Sequence, residues 1–108
     1  MVRASVTFHD CRMDLVDLAG ANLANCDLTR SRLREADLSE VNFEGATLTG
    51  VDLFQTIVDG AKLAGADLRG AEVSGLDLRR LATYENLRID VDQQYRLLEA
   101  MGLDIQVD

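Results

Sequence analysis

Proline and tryptophan are absent from the 108-residue sequence, and aromatic side chains make up only 5% of it. A core of this size cannot rest on large rings, so its filling must be small and regular, and Leu and Ala dominate the 47% hydrophobic fraction. Cysteine is scarce as well. Cys11 and Cys26 are too few for a disulfide framework, which points to a reducing compartment. No apolar run approaches the roughly 18 residues of a membrane span, and no charged-then-apolar leader opens the chain. The expected location is the cytoplasm, with no membrane contact. Basic residues are outnumbered 11 to 19, for a net charge of −8. Direct nucleic-acid binding is therefore not expected, because phosphate neutralisation needs a basic patch. What remains is a soluble acidic protein, or an acidic surface aimed at a basic partner groove. The length suits one domain with one core.

Catalytic constellations are lacking too. The single histidine, His9, falls at an outward position, and Cys11 points inward, so the two do not read as a nucleophile and its base. There is no P-loop, no dinucleotide fingerprint and no Cys/His metal cluster. Carboxylates are plentiful but project outward from separate units, which does not give the desolvated pair that acid–base work needs. The expectation is no enzyme, no cofactor and no metal.

What is present is a period of five. From Phe8 an apolar residue recurs at every fifth position through Leu18, Leu28, Leu38, Leu48, Val58 and Leu68 to Leu78, fifteen positions without a miss. Two residues before each sits a mostly small one, such as Cys11, Ala21, Cys26, Ala36, Ala46 or Ala66. Between them lies a mostly polar residue, and glycine often closes the unit. A helix would smear the Leu row around every face, because five residues rotate it by about 140° beyond a full turn. A continuous strand would flip the row at each unit. The pattern works when each unit is a short extended piece followed by a corner, where Gly, Asn, Ser and Thr suit the turn. The small residue and the Leu then face inward, and the Asp or Asn between them faces out. Cys11 and Cys26 both sit at the small inward position and become core fillers.

Ala21-Asn22-Leu23, Ala36-Asp37-Leu38 and Ala66-Asp67-Leu68 resemble the consensus of the pentapeptide-repeat family over residues 6 to 80. The resemblance implies an all-β solenoid: a right-handed quadrilateral β-helix of about four coils, with four units per coil, so that residues twenty apart stack. Residues 1–81 form the repeat part and 82–108 a second unit.

After Leu78 the repeat stops, and residues 82–90 break its frame. Leu76 and Leu81, larger than Ala in the small row, mark where the axis closes. The stretch DVDQQYRLLEAMG reads as a short C-terminal α-helix, with Asp90 or Asp92 as N-cap and Gly102 as its end. Val91, Tyr95, Leu98 and Met101 follow helical spacing, and Leu97 widens the stripe. The tail alternates Leu103, Ile105 and Val107, a short strand signal. A solenoid end exposes unpaired edges and needs a cap. These residues are the expected cap, and the candidate interface of a homodimer. The C-terminal part is similar to the ending of Qnr-type quinolone-resistance proteins, bacterial DNA mimics that bind type II topoisomerases, chiefly DNA gyrase. No comparable cap precedes Val6, so a truncated, naturally short or engineered form stays open.

Outward columns are expected to run Asp17, Asp37, Ile57, Asp77, and Asp27, Thr47, Asp67. A third changes sign from Arg12 and Arg32 to Asp52 and Glu72, with Arg34 beside it. Stacked like charges repel. Two explanations stand: the Asp side chains support the turns, or they form an acidic partner-binding surface of Asp17, Asp37, Asp77, Asp27 and Asp67. Leu15 and Phe54 add outward apolar residues. The two functions weighed are the DNA mimic and a structural or scaffolding solenoid with another protein partner.

Overall fold

The computed structural model describes residues 7–106; Val6 and Val107 fall outside them. A corner closes every fifth residue. At each of the fourteen positions from Asp10 to Gly75, φ is positive, between +56° and +82°, and only seven of these positions hold glycine. After every corner but the first, at Asp10, the next backbone N–H bonds back three residues, as from Ala21 to Leu18 C=O at 2.9 Å and from Ala66 to Leu63 C=O at 3.0 Å. Positive φ at the third turn residue alone is the type II signature.

Four corners return the chain over itself. Single-residue parallel bridges join positions twenty apart in four columns: Thr7, Asp27, Thr47, Asp67; then Arg12, Arg32, Asp52, Glu72; then Asp17, Asp37, Ile57; then Asn22, Asn42, Lys62. No bridge lengthens into a strand, because a corner arrives before a second residue can pair. The expected stacking register is thus the one observed. Leu28, Leu33, Leu38, Phe43, Leu48 and Leu68 are each at most 1% exposed. Both cysteines are free, Cys26 buried and Cys11 half-buried. Ser31 fills one small inward slot. Its hydroxyl donates to Phe8 C=O and accepts from Cys11 N–H, so its polarity is matched inside the core.

The fourth coil departs from the repeat. A 3₁₀ turn at Leu78–Arg80 inserts one residue, and the spacing becomes twenty-one: Lys62 bridges Thr83 and Asp67 bridges Arg88. Residues 82–89 therefore break the sequence frame without leaving the coil, and the ladder runs on past the expected division at 81. Leu76 and Leu81 are buried beneath this closing turn.

One α-helix follows, α1 (Gln93–Ala100). Asp92 occupies the N-cap position without a side-chain bond, and Asp90 turns its carboxylate to Gly70 N–H instead. Neither expected cap therefore acts on α1, because the coil end competes for the acid. Gly102, at φ +87°, ends the helix as expected. Its N–H reaches Glu99 C=O and that of Leu103 reaches Leu98 C=O, which is the Schellman pattern. Residues 103–106 form no strand, because no neighbouring edge pairs with them among the described residues.

Candidate protein-interaction surfaces

The outward Asp has a local duty. The carboxylates or amides of Asp17, Asn22, Asp27, Asp37, Asn42, Asp52, Asp67 and Asp77 each accept the N–H two residues on, at 2.9–3.2 Å. Each holds the first turn residue in place. The side-chain bond also holds charge on the surface. The His9 ring beside Asp27, with the Thr29 hydroxyl, holds that carboxyl down at about 2. Arg69 depresses Asp67, Arg79 depresses Asp77 and the Ser39 hydroxyl depresses Asp37.

The five acidic candidates do not form one surface. Asp27 pairs with His9 at 2.7 Å, Asp67 with Arg69 at 2.8 Å, and Asp77 with Arg79 at 2.9 Å. The expected column ends at Ile57, because the 3₁₀ turn that begins after Asp77 takes it off the ladder. Asp17 and Asp37 remain stacked, with Glu35 and Glu40 at the adjoining corners. Among the described residues none of these four makes an ion pair. Segments 15–20, 35–40 and 55–60, the lower three levels of this face, contain no Lys, Arg or His, and Arg80, stacked above Gly60, pairs with Asp59 at 3.3 Å. Ile57 and Leu15 stand 50% and 72% exposed on the same side. The Arg-bearing face is different: Arg32 pairs with Asp14 at 3.0 Å, and Arg34 pairs with Asp52 while lying 5.0 Å over the Phe54 ring.

The C-terminal candidates also divide. Leu97 is 2% exposed and packs into the core, and Met101 and Ile105 are half-buried. Val91, Tyr95, Leu98 and Leu103 are exposed. Tyr84 and Ile89, which hold inward slots of the last coil, are 53% and 37% exposed because no further coil covers them. The one-residue insertion hid these two from a five-residue frame. A step of six from Leu78 to Tyr84 in the inward row is the signal that would have found them.

Cys11 Sγ–H turns to His9 C=O, away from the ring. No group of three or more His, Cys, Asp or Glu could hold a metal among the described residues. A void of about 10 Å³ lined by Leu38, Phe43, Leu53, Val58 and Leu76 is apolar and holds at most one water with no partner. Among the described residues no helix is long and apolar enough to cross a membrane.

The pattern described as pentapeptide repeats matches in eight copies over residues 11–50 and 48–80. The chain belongs to the pentapeptide-repeat family. Among solved structures it is similar to a trypsin-treated variant of QnrB1, a plasmid-mediated fluoroquinolone resistance protein, at 20% identity and TM-score 0.73, over 93% of this chain and 58% of that one. It is also similar to alr5209, a pentapeptide repeat protein from Nostoc, at 38% identity and TM-score 0.68, over 73% and 66%. A third is Rfr23, a pentapeptide repeat protein from the cyanobacterium Cyanothece, at 26% identity and TM-score 0.60, over 84% and 65%. This pentapeptide-repeat chain thus spans less than two thirds of each of these relatives. At 20% identity the QnrB1 likeness speaks for the fold alone. A search of curated proteins found no match.

Proposed function

We propose that this chain is a non-enzymatic, right-handed β-solenoid that pairs with a second copy through its C-terminal end and presents an acidic face to a basic, DNA-binding groove of a protein. The partner class we favour is a type II topoisomerase, DNA gyrase, with an effect on quinolone susceptibility. The observation that carries this reading is the face of Asp17, Glu35, Asp37 and Glu40, four carboxylates with no ion pair among the described residues, while Asp27 is bonded to the His9 ring and Asp67 and Asp77 have arginines beside them. Self-repulsion makes such a face costly on its own, and a basic groove relieves it. The C-terminal end supports the second copy: Val91, Tyr95, Leu98 and Leu103 are apolar side chains left exposed there.

A second reading, a scaffold solenoid with a different protein partner, is favoured by the turn duty of Asp17, Asp27, Asp37, Asp52, Asp67 and Asp77, which explains acid at that slot without any partner. Gyrase supercoiling separates the two. Inhibition by the wild type, steeply weakened by salt, is expected. The quadruple change Asp17→Asn, Glu35→Gln, Asp37→Asn, Glu40→Gln should weaken it, while Asp27→Asn with Asp67→Asn should not. No inhibition at high micromolar protein removes gyrase and leaves the scaffold.

A further inference from the structure

Two side chains finish the top of the solenoid by taking hydrogen-bonding places that belong to backbone lower down. At one corner of each lower coil an N–H donates to a carbonyl of the coil above: Asp10 to Thr29, Arg30 to Thr49, Gly50 to Arg69. One level higher, Gly70 N–H donates to the Asp90 carboxylate. Beside it, the carbonyls of Cys11, Ser31 and Val51 accept from the N–H groups of Arg32, Asp52 and Glu72. One level higher, the Ala71 carbonyl accepts from Gln93 Nε2 at 2.9 Å. The last coil's longer spacing places Gln93 above Glu72, so a side-chain amide stands where the next coil's backbone amide would be.

Gln93 is only 7% exposed, and its amide is fully engaged. Nε2 also donates to Leu68 C=O at 2.6 Å, and Oε1 accepts from Asp90 N–H at 2.7 Å. One turn on, Leu97 enters the core. The other residues of α1, from Gln94 to Glu99, are exposed. The helix is therefore fastened to the coil by one face of two residues, and only Gln93 fixes its direction, since an apolar contact such as that of Leu97 is non-directional.

We propose that Gln93 is the positioning residue that locks α1 onto the coil end, holding Val91, Tyr95 and Leu98 in one rigid face with Tyr84 and Ile89 for a second copy of the chain. The identity of the occupant rests on the C-terminal pairing proposed above; the lock itself does not. No other residue of this size does the same work. Leu would strand the Ala71 carbonyl and the Asp90 N–H and leave the Leu68 carbonyl with the Ala71 N–H alone, and an ionised Glu would set oxygen against oxygen.

The experiment compares wild type, Gln93→Leu and Gln93→Glu in the full chain by two readouts. Hydrogen exchange at the amides of 97–101, run dilute enough to be monomeric, reports the lock; association by analytical ultracentrifugation reports its consequence. Gln93→Leu is expected to lose protection in α1 by about tenfold or more, and to weaken association by a similar factor, for the loss of buried hydrogen bonds. Amides of Leu38, Leu48 and Leu63 should keep their protection, which a general loss of folding would not allow. Gln93→Glu should behave like Leu at pH 8 and recover in part near pH 5, where a protonated carboxyl can donate to one carbonyl. Asp90, Glu72 and Arg96 surround this place in both proteins, so wild type at the same two pH values is the control. Unchanged protection of α1 in Gln93→Leu overturns the lock. A wild type that stays monomeric, with protection still lost in the variant, removes the second copy and keeps the lock.

Discussion

Leu15 occupies a left-handed backbone position, φ +64°, with its side chain 72% exposed. It gains no burial there and bears the left-handed strain of about 1–2 kcal/mol, of which glycine's extra unfolded-state entropy of about 0.4–1 would be given back. Leu15→Gly is therefore expected to stabilise the protein by about 0.5–1 kcal/mol in urea unfolding, and a comparable loss would show that Leu15 makes a contact of its own. Leu38 is the opposite case. It is 1% exposed, with Leu18 and Val58 in the corresponding slots below and above. Leu38→Ala should cost about 2–5 kcal/mol, and a change under about 0.5 would contradict the inward register. Both positions were legible from the period of five, because the slot within the unit decides inward or outward. The strain at Leu15 was not, since a leucine in a glycine slot looks like any surface substitution until φ is known.

At the scale of elements, α1 reverses the usual reading of an amphipathic helix. Its buried face carries a glutamine, Gln93, beside Leu97, while Val91, Tyr95 and Leu98 point to solvent. The apolar spacing predicted the helix correctly and its orientation wrongly for Leu97. Two aspartates replaced on the two sides separate these roles. Leu98→Asp should dissociate the pair in light scattering and leave the coil's circular dichroism unchanged. Leu97→Asp should lower the melting temperature as well, because it buries a charge with no partner. If Leu98→Asp scatters as wild type does, the exposed stripe is not the interface. The 3₁₀ turn at Leu78–Arg80 escaped the sequence for a related reason: it still ends with Leu81 N–H bonded to Leu78 C=O, the bond that closes the corners from Leu15 to Gly75, and only the pairing with the coil below counts the added residue.

For the whole molecule, the carboxylates set the response to acid. Asp27, Asp37, Asp67, Glu72 and Asp77 are all held below their ordinary values by hydrogen bonds from neighbouring side chains. A depressed folded value means stability that is present above the unfolded value of about 4 and lost as pH falls toward the folded one, which for Asp27 is about 2. Relief of the self-repulsion of −8 net charge acts in the other direction, but salt screens it more than it screens bonded pairs. At physiological salt the melting temperature should fall between pH 4 and pH 2. A rise across that window would mean that repulsion outweighs the turn bonds. The coil, helix and tail together measure 53 × 26 × 21 Å, an elongated body with its charge on the outside.

The sequence by itself determined the coil. The period, the inward rows and the corners follow from interactions within three residues or from a repeat that copies itself, so local chemistry contains them, while the twenty-residue stacking came from the resemblance to the family. The tertiary structure alone decided which acids stay unpaired, that the ladder continues beyond residue 81, and how the end is sealed. Those outcomes depend on partners far along the chain. Arg34 meets Asp52 and Arg80 meets Asp59, while Asp90 and Gln93 reach back twenty residues or more to Gly70, Leu68 and Ala71. A side chain standing in for the backbone of a coil that does not exist has no signature in its own neighbourhood. Its meaning comes from the unpaired edge it covers.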